Sequence, residues 1–177
     1  TTLLDTILRS HSQVSVAEEI AATSEMLMVA DSIKLSFSSP DNAAIDLVRE
    51  KYFEVLAQHI PLDEGGIWID KLPLNILNVG PLHRIFPQSK FVIALRHPCD
   101  CVLSCVMKSF QLNNAMANFL TLEHAARAYD KLMSLWLHYQ STLDLEIVES
   151  RYENLIQDLQ GTSSPVLEFL GLQWENS

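Results

Sequence analysis

Three features of this 177-residue chain predict an α/β fold, with a mainly parallel sheet and helices on both of its faces. Short apolar runs alternate with longer stretches of helical periodicity from one end to the other, the order that builds βαβ units with right-handed crossovers. One of these runs, Phe91 to Leu95, ends on Arg96-His97-Pro98 and passes straight into a helical pattern, so a buried strand feeds a helix opened by proline. Hydrophobic residues make up 48% of the chain and charged ones 19%, enough apolar surface for one sizeable core. One domain is expected over residues 1–177, without internal repeats or low-complexity segments.

The elements follow in order. Thr1 to His11 is helical in pattern through Leu3, Leu4, Ile7 and Leu8. A second helix is expected over Ala22 to Phe37, and a third after Pro40-Asp41, carried by Ile45, Val48, Phe53, Leu56 and Ile60. Asp63-Glu64-Gly65-Gly66 signals a turn, and Ile67-Trp68-Ile69 a short strand ended by Asp70-Lys71-Leu72-Pro73. A helix over Asn75 to Phe86 leads through Pro87-Gln88-Ser89 into the strand at Phe91. Beyond the proline-opened helix, Asn113 to Asn118 reads as a loop and Leu122 to Thr142 as the longest helix. Leu145 to Val148 reads as a strand, and Ser164-Pro165 opens a last helix that runs to Leu170 and stops at Gly171.

The net charge of −10 argues against nonspecific binding to nucleic acid or to an anionic membrane. No stretch approaches about 18 consecutive apolar residues, so no membrane span is expected. Cys99, Cys101 and Cys105 fall within seven residues and have no partner elsewhere, which suits a reducing compartment rather than a disulfide framework. With His97 they imitate a metal cluster, but a structural zinc site pairs two separated ligand knuckles; small buried residues beside a strand are the expected role, and no metal is expected.

The junction after Leu95 carries the chemistry. Open α/β sheets bind ligands at the carboxyl ends of strands, and helix N-termini favour anions, so Arg96 at that place suggests a phosphate contact. Ser104 and Lys108 lie i and i+4 on the following helical pattern, which puts a hydroxyl and an ammonium on one face. Taken alone, Lys71 is as well explained as an exposed loop lysine, Glu18-Glu19 as solvated surface, and Tyr152 as a boundary tyrosine with its hydroxyl in water. His83, His97 and His124 are expected in solvent or capping roles, and Trp68, Trp136 and Trp174 in the core or a subunit contact.

Five segments, IDKLPLN, FPQSKFVIALRHPCDCVLSCVMKSF, YDKLMSLWLHY, IVESRYENLIQD and VLEFLGLQWE, resemble in that order the sulfotransferases that use 3′-phosphoadenosine 5′-phosphosulfate (PAPS). The nearest groups are bacterial sulfotransferases carrying tetratricopeptide repeats and the tyrosylprotein sulfotransferases. The resemblance implies a P-loop-NTPase-like three-layer α/β/α fold and transfer of a sulfuryl group from PAPS to a hydroxyl or amine by in-line displacement, without an obligatory metal. The acceptor would be a protein tyrosine, a saccharide or a small alcohol.

It also implies roles for particular residues. Thr1 and Thr2 look like the end of the family's P-R-S-G-T-T loop, which holds the 5′-phosphosulfate; the first strand and most of that loop would then be absent, as would a last nucleotide-contacting segment after Ser177. His11 to Glu19 resembles H-P-x-V-x-x-x-x-E, which makes Glu19 the catalytic base and Glu18 its neighbour. Lys71 matches the lysine that stabilises the leaving phosphate, Arg96 and Ser104 the ligands of the 3′-phosphate, Lys108 an auxiliary cation there, and Tyr152 a nucleotide contact. A bacterial relative would be cytoplasmic, and a tyrosylprotein-sulfotransferase-like one Golgi-lumenal. Two rival expectations stand beside this: an inactive truncated remnant acting as a binding or structural module, and a P-loop kinase, disfavoured by the lack of G-x-x-x-x-G-K-[ST].

Overall fold

The computed structural model describes residues 2–38, 41–108, 110–111, 113 and 115–175. In chain order the elements are α1 (Thr2–Arg9), β1 (Val14–Glu18), α2 (Ala22–Ser32), α3 (Asn42–Ala57), β2 (Ile67–Lys71), α4 (Val79–Ile85), β3 (Lys90–Leu95), α5 (Pro98–Met107), α6 (Leu122–Thr142), β4 (Glu146–Arg151), α7 (Tyr152–Gln157) and α8 (Leu159–Leu170). All pairing is parallel, as the alternation predicts: Val14 to Glu18 lies in register with Ile67 to Lys71, and Lys90 to Leu95 with Glu146 to Arg151. Among the described residues these are two two-stranded sheets, β1-β2 and β3-β4, rather than one continuous sheet. One apolar cluster serves both, with Leu4 and Leu8 of α1, Val14 and Val16 of β1, Leu155 of α7, and Val166 and Leu167 of α8; Ile67, Ile69, Val92 and Val148 pack against it. A second cluster, Met26, Ala30, Ile45, Val48 and Ile85, holds α2, α3 and α4 together.

Strand β1 is absent from the expectations above. Val14 and Val16 are buried and Ser15 is half-buried, an alternation only three residues long before Ala17 also turns inward. The consequence is functional, because Glu18 ends a strand instead of lying in a loop. α2 stops at Ser32, five residues early. Lys34 takes a left-handed φ of 54° there, its N–H donates to Asp31 O, and Leu35 N–H donates to Ala30 O, a Schellman closure with lysine in the usual glycine place.

The helix expected over Asn75 to Phe86 is a 3-10 turn (Pro73–Asn78) followed by α4. Pro81 explains the break, since it has no N–H to donate to the carbonyl of Leu77. That carbonyl accepts the Tyr139 hydroxyl at 3.1 Å instead, and Gly80 makes room: a Cβ there would meet the Tyr139 ring at 2.9 Å. The last helix starts at Leu159, not Ser164, because Asp158 caps it by accepting the Gly161 N–H at 2.8 Å; Pro165 lies inside. Gly171 closes it at φ 82°. The loop expected at Asn113 to Asn118 contains the start of a 3-10 turn, Met116–Phe119.

Trp136 is 1% exposed and central to α6, while Trp68 lies at the surface edge-on to Phe53. The cysteines correct another expectation. They sit on α5 with Cys99 exposed and Cys101 and Cys105 only half-buried, because α5 meets α6 along one side and leaves its first turn in solvent.

Candidate active site

Register brings the first group of charges together. Glu18 pairs with Lys71 at the carboxyl ends of β1 and β2, and the ladder continues one step further as Glu19 N–H donates to Lys71 O at 2.8 Å. Lys71 Nζ lies 2.6 Å from Glu18 Oε1 and 3.4 Å from Glu19 Oε1, with its side chain 12% exposed. Glu18 is held on its other oxygen by Arg9 at 3.2 Å, and Arg9 in turn by Asp5, buried on α1, at 3.2 Å. The hydrogen bond from Lys71, then its charge, holds the Glu18 carboxyl below the usual range. Burial works against the charge on Lys71, but its bonds to Glu18 and Glu19 prevail and raise its pKa.

The backbone there is unusual. Glu19 has φ 54°, a left-handed conformation that costs a non-glycine residue free energy and recurs at functional sites. Asp70, the residue before Lys71, faces the opposite side of the strand and anchors it to the helical layer, accepting Thr23 Oγ1–H at 3.0 Å and Tyr52 O–H at 3.2 Å. Burial pushes the Asp70 carboxyl up.

Residues 10–13 join α1 to β1, and Arg9 in the last turn of α1 reaches Glu18 at the carboxyl end of that strand. Thr2 is exposed in the first turn; Thr1 lies outside the described residues.

The second group sits at the ends of β3 and β4. Arg96 leaves β3, stacks its guanidinium over the Tyr152 ring at 5.0 Å and approaches Asp100 at 3.5 Å. Tyr152 directly follows β4, and its neighbour Glu153 accepts the His97 N–H at 2.8 Å, occupying the N-terminus of α5. That bond, first among its causes, lowers the Glu153 carboxyl's pKa. A hollow of about 380 Å³ opens beside Arg96, lined by Arg96, Asp100, Leu103, Ser104, Met107 and Lys108. Arg96, Ser104 and Lys108 thus share one cavity, as their spacing suggests. Lys108 is not helical, however. α5 ends at Met107, and Lys108 is extended, with its ammonium 6.0 Å from the Phe110 ring centroid. A larger hollow of about 510 Å³ on the outside of α2 and α3 holds none of the expected residues.

Sequence reading overlooked three partners: Arg9, Asp100 and Glu153. Asp5–Arg9 was legible as an i, i+4 pair of opposite charges on a helical pattern, and Arg96–Asp100 as opposite charges four residues apart across the strand-to-helix junction. Glu153 reaches His97 from a separate element 56 residues away and left no local signal.

The sulfotransferase family profile matches residues 1–176. The chain belongs to the sulfotransferase family. Its fold agrees with two solved sulfotransferases. A sulfotransferase domain from the curacin biosynthetic pathway superposes with a TM-score of 0.60 at 18% identity, over 98% of this chain and 70% of that one. A sulfotransferase from Alicyclobacillus acidocaldarius superposes at 0.59 with 16% identity, over 97% and 76%. These are the P-loop-like α/β/α folds that the sequence led us to expect. An uncharacterised protein of Aquifex aeolicus (strain VF5) is 25% identical over 186 residues, which cover 99% of this sulfotransferase-family chain; the chain spans about a quarter (24%) of that relative's length. Among the described residues no helix is long and apolar enough to cross a membrane, and no three His, Cys, Asp or Glu side chains are grouped to hold a metal ion.

Proposed function

We propose that this chain forms the greater part of a domain that transfers a sulfuryl group from PAPS to an acceptor hydroxyl by in-line displacement. The observation that carries this reading is the hollow at the end of β3, where Arg96, Ser104 and Lys108 offer a guanidinium, a hydroxyl and an ammonium to one doubly charged phosphate. Tyr152, stacked on Arg96, presents a ring edge and hydroxyl to the same nucleotide. Thr2, in the first turn of α1, serves the 5′ side of the donor, together with Thr1 before it in the sequence.

When bound, the donor supplies the sulfuryl group and a nucleotide leaving group. The bond from sulfur to the phosphate oxygen breaks as a bond from sulfur to the acceptor oxygen forms. Glu19 takes the acceptor's proton, and the electron pair departs with the phosphate oxygen, where the Lys71 ammonium meets the growing charge. An acceptor with a phenolic or alcoholic hydroxyl, in a protein, a saccharide or a small molecule, satisfies this chemistry. Three unpaired cysteines favour a reducing compartment.

A specific observation supports the second reading, a chain that binds without turning over. Residues of β1 are mostly buried, whereas those of β2 and β3 are only partly so, and each strand has one neighbour among the described residues. A further parallel strand between β2 and β3 would join the two pairs into one sheet. Calorimetry with 3′-phosphoadenosine 5′-phosphate tests the first reading. Arg96→Ala is expected to weaken binding roughly 10- to 100-fold, the value of a charge-assisted hydrogen bond; equal affinity of the two proteins overturns the assignment. Release of this nucleotide from PAPS separates a working domain from a binding remnant.

A further inference from the structure

Five charged side chains form an alternating row from α1 to the end of β2: Asp5, Arg9, Glu18, Lys71 and Glu19. The links are 3.2, 3.2, 2.6 and 3.4 Å, so the row is tight in its middle and loose at its Glu19 end. Three carboxylates face two cations. One negative charge is therefore left over, and geometry places it at Glu19, the carboxylate with the longest link and, at 59%, the most exposed side chain of the five. Glu18 is pinned from both sides, each oxygen on a different cation. Glu19 stands on a left-handed backbone whose N–H is already bound to Lys71 O, and its carboxylate has one cation within reach, Lys71, where Glu18 has two.

We propose that Arg9 and Glu18 are positioning residues: they hold the Lys71 ammonium at the strand end and leave Glu19 as its exchangeable partner. This rests on the reading of Lys71 and Glu19 given above and divides the labour within the Glu18-Glu19 pair. A carboxylate gripped by two cations is not free to reach an acceptor's proton; one held by a single long contact can swing to it. Arg9 thereby acts on the transfer site through Glu18, from the last turn of α1.

Competitive acetylation of the whole chain by trace acetic anhydride, read by mass spectrometry, tests the arrangement without any turnover. Labelling of Lys71 is normalised to Lys51, an ammonium on α3 held by Glu25 and Glu54 in the same manner, so general loosening of the fold, which raises both together, is recognised. Glu18→Gln is expected to raise Lys71 labelling about threefold, Arg9→Met about twofold, and Glu19→Gln less than either, with Arg9→Lys restoring the wild-type value. Glu19→Gln equal to or above Glu18→Gln overturns the proposal, as does an Arg9→Met protein that labels like wild type. If Glu18→Gln does not fold, the Arg9 pair of variants decides. PAPS turnover is then measured on the same proteins, where Glu18→Gln and Arg9→Met are expected to lower kcat several-fold with KM for PAPS nearly unchanged. Variants that label as expected while the wild-type chain releases no nucleotide overturn the proposed activity and leave the arrangement of charges intact; Glu18→Gln and Arg9→Met proteins that change KM for PAPS but not kcat overturn the positioning.

Discussion

At the carboxyl end of β2, Lys71 is 12% exposed and meets two carboxylates, whereas at the end of β3 Arg96 is 42% exposed and meets one, at 3.5 Å. The first site is charge-saturated before any ligand arrives. The second holds its cation by stacking on Tyr152 and leaves a hollow of about 380 Å³ in front of it. An ammonium already paired contributes little to ground-state attraction for an anion but answers a charge that grows at one oxygen, while an open guanidinium attracts phosphate at once. The contrast separates rate from affinity. Under the proposed function, β2 carries the group that serves the transition state, and the end of β3 those that hold the nucleotide.

Lys71→Ala is the strongest way to break this division. Its kcat for nucleotide release from PAPS is expected to fall on the order of 100- to 1,000-fold, the scale for removing one donor from a developing oxyanion. Affinity for 3′-phosphoadenosine 5′-phosphate is expected to change far less, measured by calorimetry. Equal losses in both would erase the distinction between the two strand ends.

Ser104→Ala and Lys108→Ala sharpen the other half. Loss of the Ser104 hydroxyl is expected to weaken nucleotide binding by roughly 2- to 12-fold, one neutral hydrogen bond. Lys108, extended beyond α5 and exposed, is expected to matter about two- to fivefold, and its share to vanish in high salt. A Lys108→Ala effect larger than that of Ser104→Ala would mean that the phosphate sits deeper toward Phe110 than the Arg96 stack implies.

Much of the second site was legible because its residues belong to one strand-to-helix junction, where Arg96, Pro98 and Ser104 are fixed by local rules. Less of the first was legible, since it is made by register. Nothing near Val14 announces that Glu18 will pair with Lys71, 53 residues away, and a strand of five residues with three inward positions in its first four gives a weak period-two signal. The fold class survived such gaps, as parallel pairing and helix order need only the alternation. Element ends did not: Lys34 doing the work of glycine, and Asp158 capping ahead of Pro165, each overruled a composition rule with a hydrogen bond that only the folded chain makes.

The two ends also differ in what depresses their carboxylates, and salt exposes the difference. Glu18 is held down first by the hydrogen bond and charge of Lys71, Glu153 first by the backbone N–H of His97. In both, the folded pKa lies below the unfolded value of about 4.3, so each contributes stability that is complete above that value and is lost as pH falls through the folded pKa. Glu18→Gln and Glu153→Gln are each expected to flatten the fall in urea midpoint between about pH 5 and pH 3. In 1 M KCl the Debye length shrinks to about 3 Å, and the ion pair at Glu18 weakens more than the short backbone bond at Glu153. The flattening by Glu18→Gln is therefore expected to diminish in high salt while that by Glu153→Gln persists. Equal salt sensitivity would show that the helix N-terminus of α5 acts on Glu153 through its field rather than through the single N–H, and that this field is open to the same screening ions a bound phosphate would displace.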